Sequence, residues 1–118
     1  MKQVICVRKD LNMRKGKMIA QGSHASLMAY MNAMHNGAHV SQVFDWLQNY
    51  AMTKICVGVE SEEQLFLIYN QAKNKNLPCS LVLDAAKTEF KEPTHTCCAI
   101  GPASEEEIDA ITGNLKLL

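Results

Sequence analysis

The 118-residue chain contains no run of eighteen apolar residues, the length a membrane-spanning helix needs. Its first eight residues, Met1 to Arg8, also lack the apolar stretch of a signal peptide. A soluble protein of the cytoplasm is the expectation. No C-x-x-C pair occurs among Cys6, Cys56, Cys79, Cys97 and Cys98. An odd number of cysteines, most of them inside apolar runs, fits free thiols packed as small hydrophobes in a reducing compartment. The nearest approach to a metal cluster is His95-Thr96-Cys97-Cys98. In an extended strand His95 and Cys97 share a face and Cys98 points away, so a closed set of four ligands is missing and no metal is expected.

Common catalytic signatures are missing too. Gly16-Lys17 is followed by Met18 rather than Ser or Thr and has no upstream glycine, so it is not a Walker A loop. There is no G-x-S-x-G, H-E-x-x-H or G-x-G-x-x-G. Repeats, low-complexity tracts and linkers are likewise absent, and the expectation is one domain over residues 1–118, long enough to bury a core without disulfides or metal.

Net charge is zero but unevenly distributed. Residues 1–59 carry seven Lys and Arg against two acids, and residues 60–118 carry five against ten, which gives +5 and −5. The densest basic cluster is Arg8, Lys9, Arg14, Lys15 and Lys17, opposed only by Asp10. One basic face on a neutral protein can bind a polyanion locally.

The segment around which this chemistry gathers runs from Arg14 to Ala25. A helix starting near Gly16 leaves its first N–H groups unpaired and its dipole positive there, and three full charges add to it, which suits an anion such as phosphate. Lys17, Gln21 and His24 fall at i, i+4 and i+7 and line one helix face. Apolar periodicity carries this helix to Met34, its methionines filling core, and His35-Asn36-Gly37 stops it.

Four short apolar strands are expected at residues 3–7, 54–59, 79–83 and 94–100, the last stopped by Gly101-Pro102. Ser41 is expected to cap a helix over 42–50, whose Phe44, Trp46, Leu47 and Tyr50 pack inward or onto a partner. Ser61 with Gln64 starts a further helix, and Ser104 caps a last one with acids in its first turn and Gly113 at its end. The alternation predicts a three-layer α/β/α domain with a mixed, mostly parallel four-stranded sheet, in which the short third-to-fourth connection makes one antiparallel pair. Ligands in such sheets gather beyond the carboxyl ends of strands, where Arg8 to Lys17 and Asp84 to Glu89 both fall. Asp84, at a strand end, is expected to be partly desolvated with its pKa raised, and Lys87 and Thr88 put a cation and a hydroxyl within one turn of it. On these residues alone an Asx-type turn or helix cap is an equal reading.

Taken together, Val4 to Leu11, Gly16 to Ala25, Leu83-Asp84-Ala85, Ala99 to Pro102 and Ile111 to Leu117 closely resemble the type II peptidyl-tRNA hydrolases, in order and across essentially the whole chain. The resemblance implies an enzyme that cleaves the ester joining a peptide to the terminal ribose of tRNA, without a cofactor, and commonly as a homodimer. It carries over Lys17, Gln21, His24, Asp84 and Thr88 as functional positions; together with the basic turn and the Asp84 loop, the expected site has Lys17, His24, Asp84 and Thr88 as catalytic and Arg14, Lys15, Gln21, Ser23 and Lys87 as substrate-binding. Two departures stand out. Gly22 replaces a usual Cys, and Asp84-Ala85-Ala86-Lys87-Thr88-Glu89 replaces D-A-G-[RK]-T-Q, so Ala86 stands where Gly would permit positive φ and Glu89 adds a negative charge. A non-catalytic module that holds tRNA or a protein, and a hydrolase of another acyl ester or amide, are the alternative readings.

Overall fold

In the computed structural model, which describes residues 1–86 and 90–118, strand β1 (Lys2–Arg8) is the buried spine of the sheet. Its apolar run is covered on both faces, as a central strand of an α/β sheet requires. Helix α1 (Lys15–Met34) follows, then a 3-10 turn at His35–Gly37, helix α2 (Val40–Asn49) and strand β2 (Lys54–Val59). Helix α3 (Glu62–Asn74), strands β3 (Cys79–Asp84) and β4 (Thr94–Ala103), and helix α4 (Glu105–Thr112) complete the chain.

The sheet order is β2-β1-β4-β3. Strand β2 pairs parallel with β1, while β4 lies antiparallel to both β1 and β3. Three strands thus share one direction, as expected, but β4 enters between two of them and makes two antiparallel pairings rather than one. One face buries Val4, Cys6, Val59, Leu65, Ile68 and Ile108 beneath α3 and α4. The other buries Ile5, Val7, Val82, Cys97 and Ala99 beneath α1.

Small residues let α1 approach the sheet closely. Gly22, Ala25, Ala29 and Ala33 recur every three to four residues and are buried. The core face of α1 is therefore built from these, not from methionine: Met28 and Met31 are exposed. Cap chemistry holds for α3, where Ser61 Oγ accepts from Gln64 N at 3.0 Å and Gln64 Oε1 accepts from Glu60 N at 2.8 Å. It holds for α4, where Ser104 Oγ accepts from Glu107 N at 3.2 Å. Ser41, by contrast, lies inside α2, whose N-cap is His39, because His39 N already donates to Ala33 O and Val43 N to His39 O. Within α2, Trp46 is buried and Phe44 is exposed, as is Tyr50 at its C-cap.

Strand β4 runs past its expected stop. Pairing resumes at Lys2 with Ala103 after an irregularity, and Gly101, at φ +104°, makes it possible. A Cβ there would lie 2.5 Å from Lys2 O. A second irregularity matters more: Val82 pairs with Cys97 and Leu83 with His95, which leaves Thr96 as an extra residue. The bulge turns Thr96 and Cys97 to the α1 face, where both bond Gln21, while His95 stacks edge-on against Phe66 of α3 at 5.0 Å. Strict alternation, which would put His95 and Cys97 on one face, fails at this point.

Candidate active site

At the carboxyl end of β3, Asp84 receives three donors. Lys17 Nζ lies 2.8 Å and Gln21 Nε2 3.2 Å from Oδ1, and the Ala86 amide donates to Oδ2 at 3.0 Å. Lys17 and Gln21 come from one face of α1, four residues apart, as their spacing predicts. Both charged side chains are largely withdrawn from solvent, at 11% and 9% exposure. Lys17 Nζ also sits 5.5 Å from the centre of the Phe90 ring, an arrangement that favours a cation.

Gln21 is the hinge of the cluster and is only 4% exposed. An ionised carboxylate can only accept, so the amide must turn its NH2 to Asp84 and its oxygen the other way. That oxygen accepts from Thr96 Oγ1 at 2.6 Å. Cys97 Sγ donates to the Gln21 backbone oxygen at 3.1 Å, and burial pushes the Cys97 thiol up to about 12, so it is a packed donor and no nucleophile. Thr96 thus fixes the direction of Gln21, and Gln21 fixes Asp84. Reading β4 as a regular strand concealed Thr96; nothing in the local sequence marks the bulge that delivers it.

The Lys17 hydrogen bond, foremost, holds the Asp84 carboxyl below the usual range, with the Ala86 amide and Gln21 acting in the same direction against desolvation. The expected upward shift is therefore reversed: the nearby cation outweighs burial. Ala86 itself adopts φ +65°, the left-handed conformation that its side chain disfavours, and this conformation delivers its N–H to Asp84.

The other expected site residues distribute as follows. His24 is exposed on α1 and makes no bond to Asp84 among the described residues. Arg14 is the exposed N-cap of α1, with no side-chain cap bond. Lys15 and Ser23 lie on the other flank of the helix, and Ser23 Oγ donates to Ile19 O. Lys87, Thr88 and Glu89 lie outside the described residues. The basic surface loses two members: Lys17 turns in to Asp84, and Arg8 is buried, donates twice to Asp10 at 3.1 and 2.7 Å and once to His95 O at 3.0 Å, and approaches Glu62 at 3.6 Å. The exposed cations at this end include Lys9, Arg14 and Lys15.

Residues 1–118 match the family described as Peptidyl-tRNA hydrolase PTH2. The chain is 46% identical over 118 residues to a peptidyl-tRNA hydrolase of Methanocaldococcus jannaschii, covering 100% of both chains. It is 44% identical over 117 residues to one of Methanopyrus kandleri, covering 99% of this chain and 97% of the other. To one of Saccharolobus islandicus it is 42% identical over 119 residues, covering 99% and 98%. With full-length similarity on both sides, the chain belongs to the peptidyl-tRNA hydrolase PTH2 family.

Proposed function

We propose that this chain, as a single domain over residues 1–118, hydrolyses the ester between a peptide and tRNA and returns free tRNA. The observation that supports the reading is an ionised carboxylate, Asp84, held by Lys17, Gln21 and a backbone amide next to the basic start of α1. In this reading water attacks the acyl carbon, Asp84 takes its proton, the bond to the ribose oxygen breaks, and the proton passes to that oxygen. An acid held so low is a weak base while Lys17 stays on it. As negative charge develops on the acyl oxygen, Lys17 shifts toward it, which both stabilises that charge and releases Asp84 to act. Gln21 keeps the carboxylate aimed.

His24, exposed on the same helix, and Thr88 are assigned catalytic roles on the family resemblance, and Lys87, one residue before Thr88, is assigned to substrate binding. Exposed Lys9, Arg14 and Lys15 supply charge for tRNA phosphates. Ser23 bonds its own helix, so a substrate role there requires a change of rotamer.

The protein is further proposed to work in the cytoplasm as a homodimer. All five cysteines are free, and no helix among the described residues is long and apolar enough to cross a membrane. Exposed Met31 on α1, Phe44 on α2 and Tyr50 at the C-cap of α2 offer apolar surface for a second copy. Phe44→Glu is expected to halve the mass seen by sedimentation, and a mass unchanged by it removes α2 from the interface.

Release of acyl-amino acid from N-acyl-aminoacyl-tRNA tests the activity. Asp84→Asn is expected to lower kcat by about 10²–10⁴-fold with cooperative unfolding retained. Full activity in Asp84→Asn overturns the site, and saturable tRNA binding without turnover by the unmodified protein makes it a binding module instead.

A further inference from the structure

A cavity of about 750 Å³ runs along the flank of α1 opposite Asp84. Its walls are apolar: Ile5 from β1, Met18, Ile19 and Leu27 from α1, and Trp46 from α2, with Gly22 opening its middle. Volume and lining are those of a small-ligand or peptide site. Ile19 is 70% and Leu27 57% exposed, so apolar surface faces an open groove. Lys15 stands at the end nearest the catalytic cluster and Lys54 also lines the groove.

We infer that this groove takes the peptide of the substrate, and that it selects apolar side chains at positions three or more residues upstream of the scissile ester. The inference rests on the hydrolase reading. The groove and the cluster share the first turns of α1: Lys17 and Gln21 hold Asp84, while Lys15, Met18 and Ile19, on the same turns, line the groove. A peptide whose ester to the ribose lies beside Asp84 crosses the start of the helix, about 10 Å wide, which takes about three extended residues. From Lys15 to Tyr30 the groove then follows about 22 Å of helix, enough for about six more. Charge agrees with this direction. Hydrolysis leaves a carboxylate at the peptide's end nearest Lys15 and Lys17, and the lining of the remainder asks for apolar contact.

Two measurements decide it. Trp46 is the chain's single tryptophan and lines the groove, so its emission reports occupancy without turnover. N-acetyl-Leu-Leu-Leu-Gly-Gly-Gly as the free acid is expected to change it saturably, at concentrations at least about tenfold below those for N-acetyl-hexaglycine. As peptidyl-tRNAs, the same two peptides are expected to differ about tenfold in kcat/KM, chiefly through KM. Gly22→Leu fills the groove: a Cβ there meets only Ile5 Cγ2, at 3.7 Å, and a helix interior favours Leu over Gly. Ile19→Asp, at an exposed position, puts a charge into it. Both variants are expected to bring the two ratios close to one. Equal emission responses, or equal kcat/KM, for the two peptides in the unmodified protein overturn the inference. So does a variant that halves the sedimenting mass, since the groove is then a contact between copies. Absence of all turnover alongside a selective Trp46 response overturns the hydrolase and leaves the groove standing.

Discussion

The two flanks of α1 come from one helix yet solve opposite problems. On one, Lys17 and Gln21 enter a closed polar set in which Asp84 and Thr96 each find partners. On the other, Met18, Ile19 and Leu27 border an open apolar groove whose nearby hydroxyls are already used, Ser23 on Ile19 O and Ser26 on Gln3 Oε1. The polar flank is sensitive because every donor there has a designated acceptor, so one deletion leaves a buried group unpaired. The apolar flank tolerates change, because its contacts are non-directional and solvent is near. The difference teaches that a single helix can be rigid toward its chemistry and adaptable toward what it carries.

Among the groups that hold Asp84, breaking the polar flank at its cation should have the largest effect. Lys17→Met is expected to reduce kcat/KM by about 10²-fold or more, the scale of one lost electrostatic contact to a developing oxyanion. It also removes the main cause of the lowered Asp84 pKa. A lowered carboxyl contributes stability above the unfolded value of about 3.9, lost as pH falls through the folded value. In Lys17→Met that contribution shrinks, and NMR titration of the Asp84 carboxyl should show its midpoint moved upward. An unmoved midpoint breaks the assigned pairing.

Removing the relay behind the cation should cost less. Thr96→Val keeps shape but leaves Gln21 Oε1 buried without its donor, at about 1–3 kcal/mol in urea unfolding. Activity is expected to fall about tenfold through kcat, as Gln21 loses its fixed direction. A Thr96→Ser variant retains the hydroxyl and should recover most of it. Smallest is the turn that closes the cluster. Ala86→Gly relieves a left-handed alanine, at φ +65°, and is expected to raise stability by about 0.5–1 kcal/mol, read as a higher thermal midpoint.

These residues also show how far sequence alone reaches. The ends of α3 and α4 were legible because Ser61, Gln64 and Ser104 act on backbone groups within four residues. Lys17 and Gln21 were legible as a pair because helical spacing is itself a geometric statement. Asp84 could be placed at a strand end, but not the sign of its pKa shift, since that depends on a cation 67 residues away. Thr96 was hidden by a bulge that breaks period-two alternation, and β4 threads between β1 and β3 through pairings no local pattern encodes. Arg8 looked like part of a cationic surface until Asp10 and His95 drew it inward.

The last residues of the chain carry a consequence of their own. Leu117 bridges Val57 in antiparallel fashion, Gly58 N donates to Lys116 O at 3.0 Å, and Leu118 N donates to Cys56 O at 3.0 Å. An open strand edge is a template for runaway aggregation, and here a few residues of tail occupy the outer edge of β2. Two copies therefore cannot fuse their sheets across β2 without first peeling the tail away, which leaves side-chain faces as the route to ordered assembly on that side.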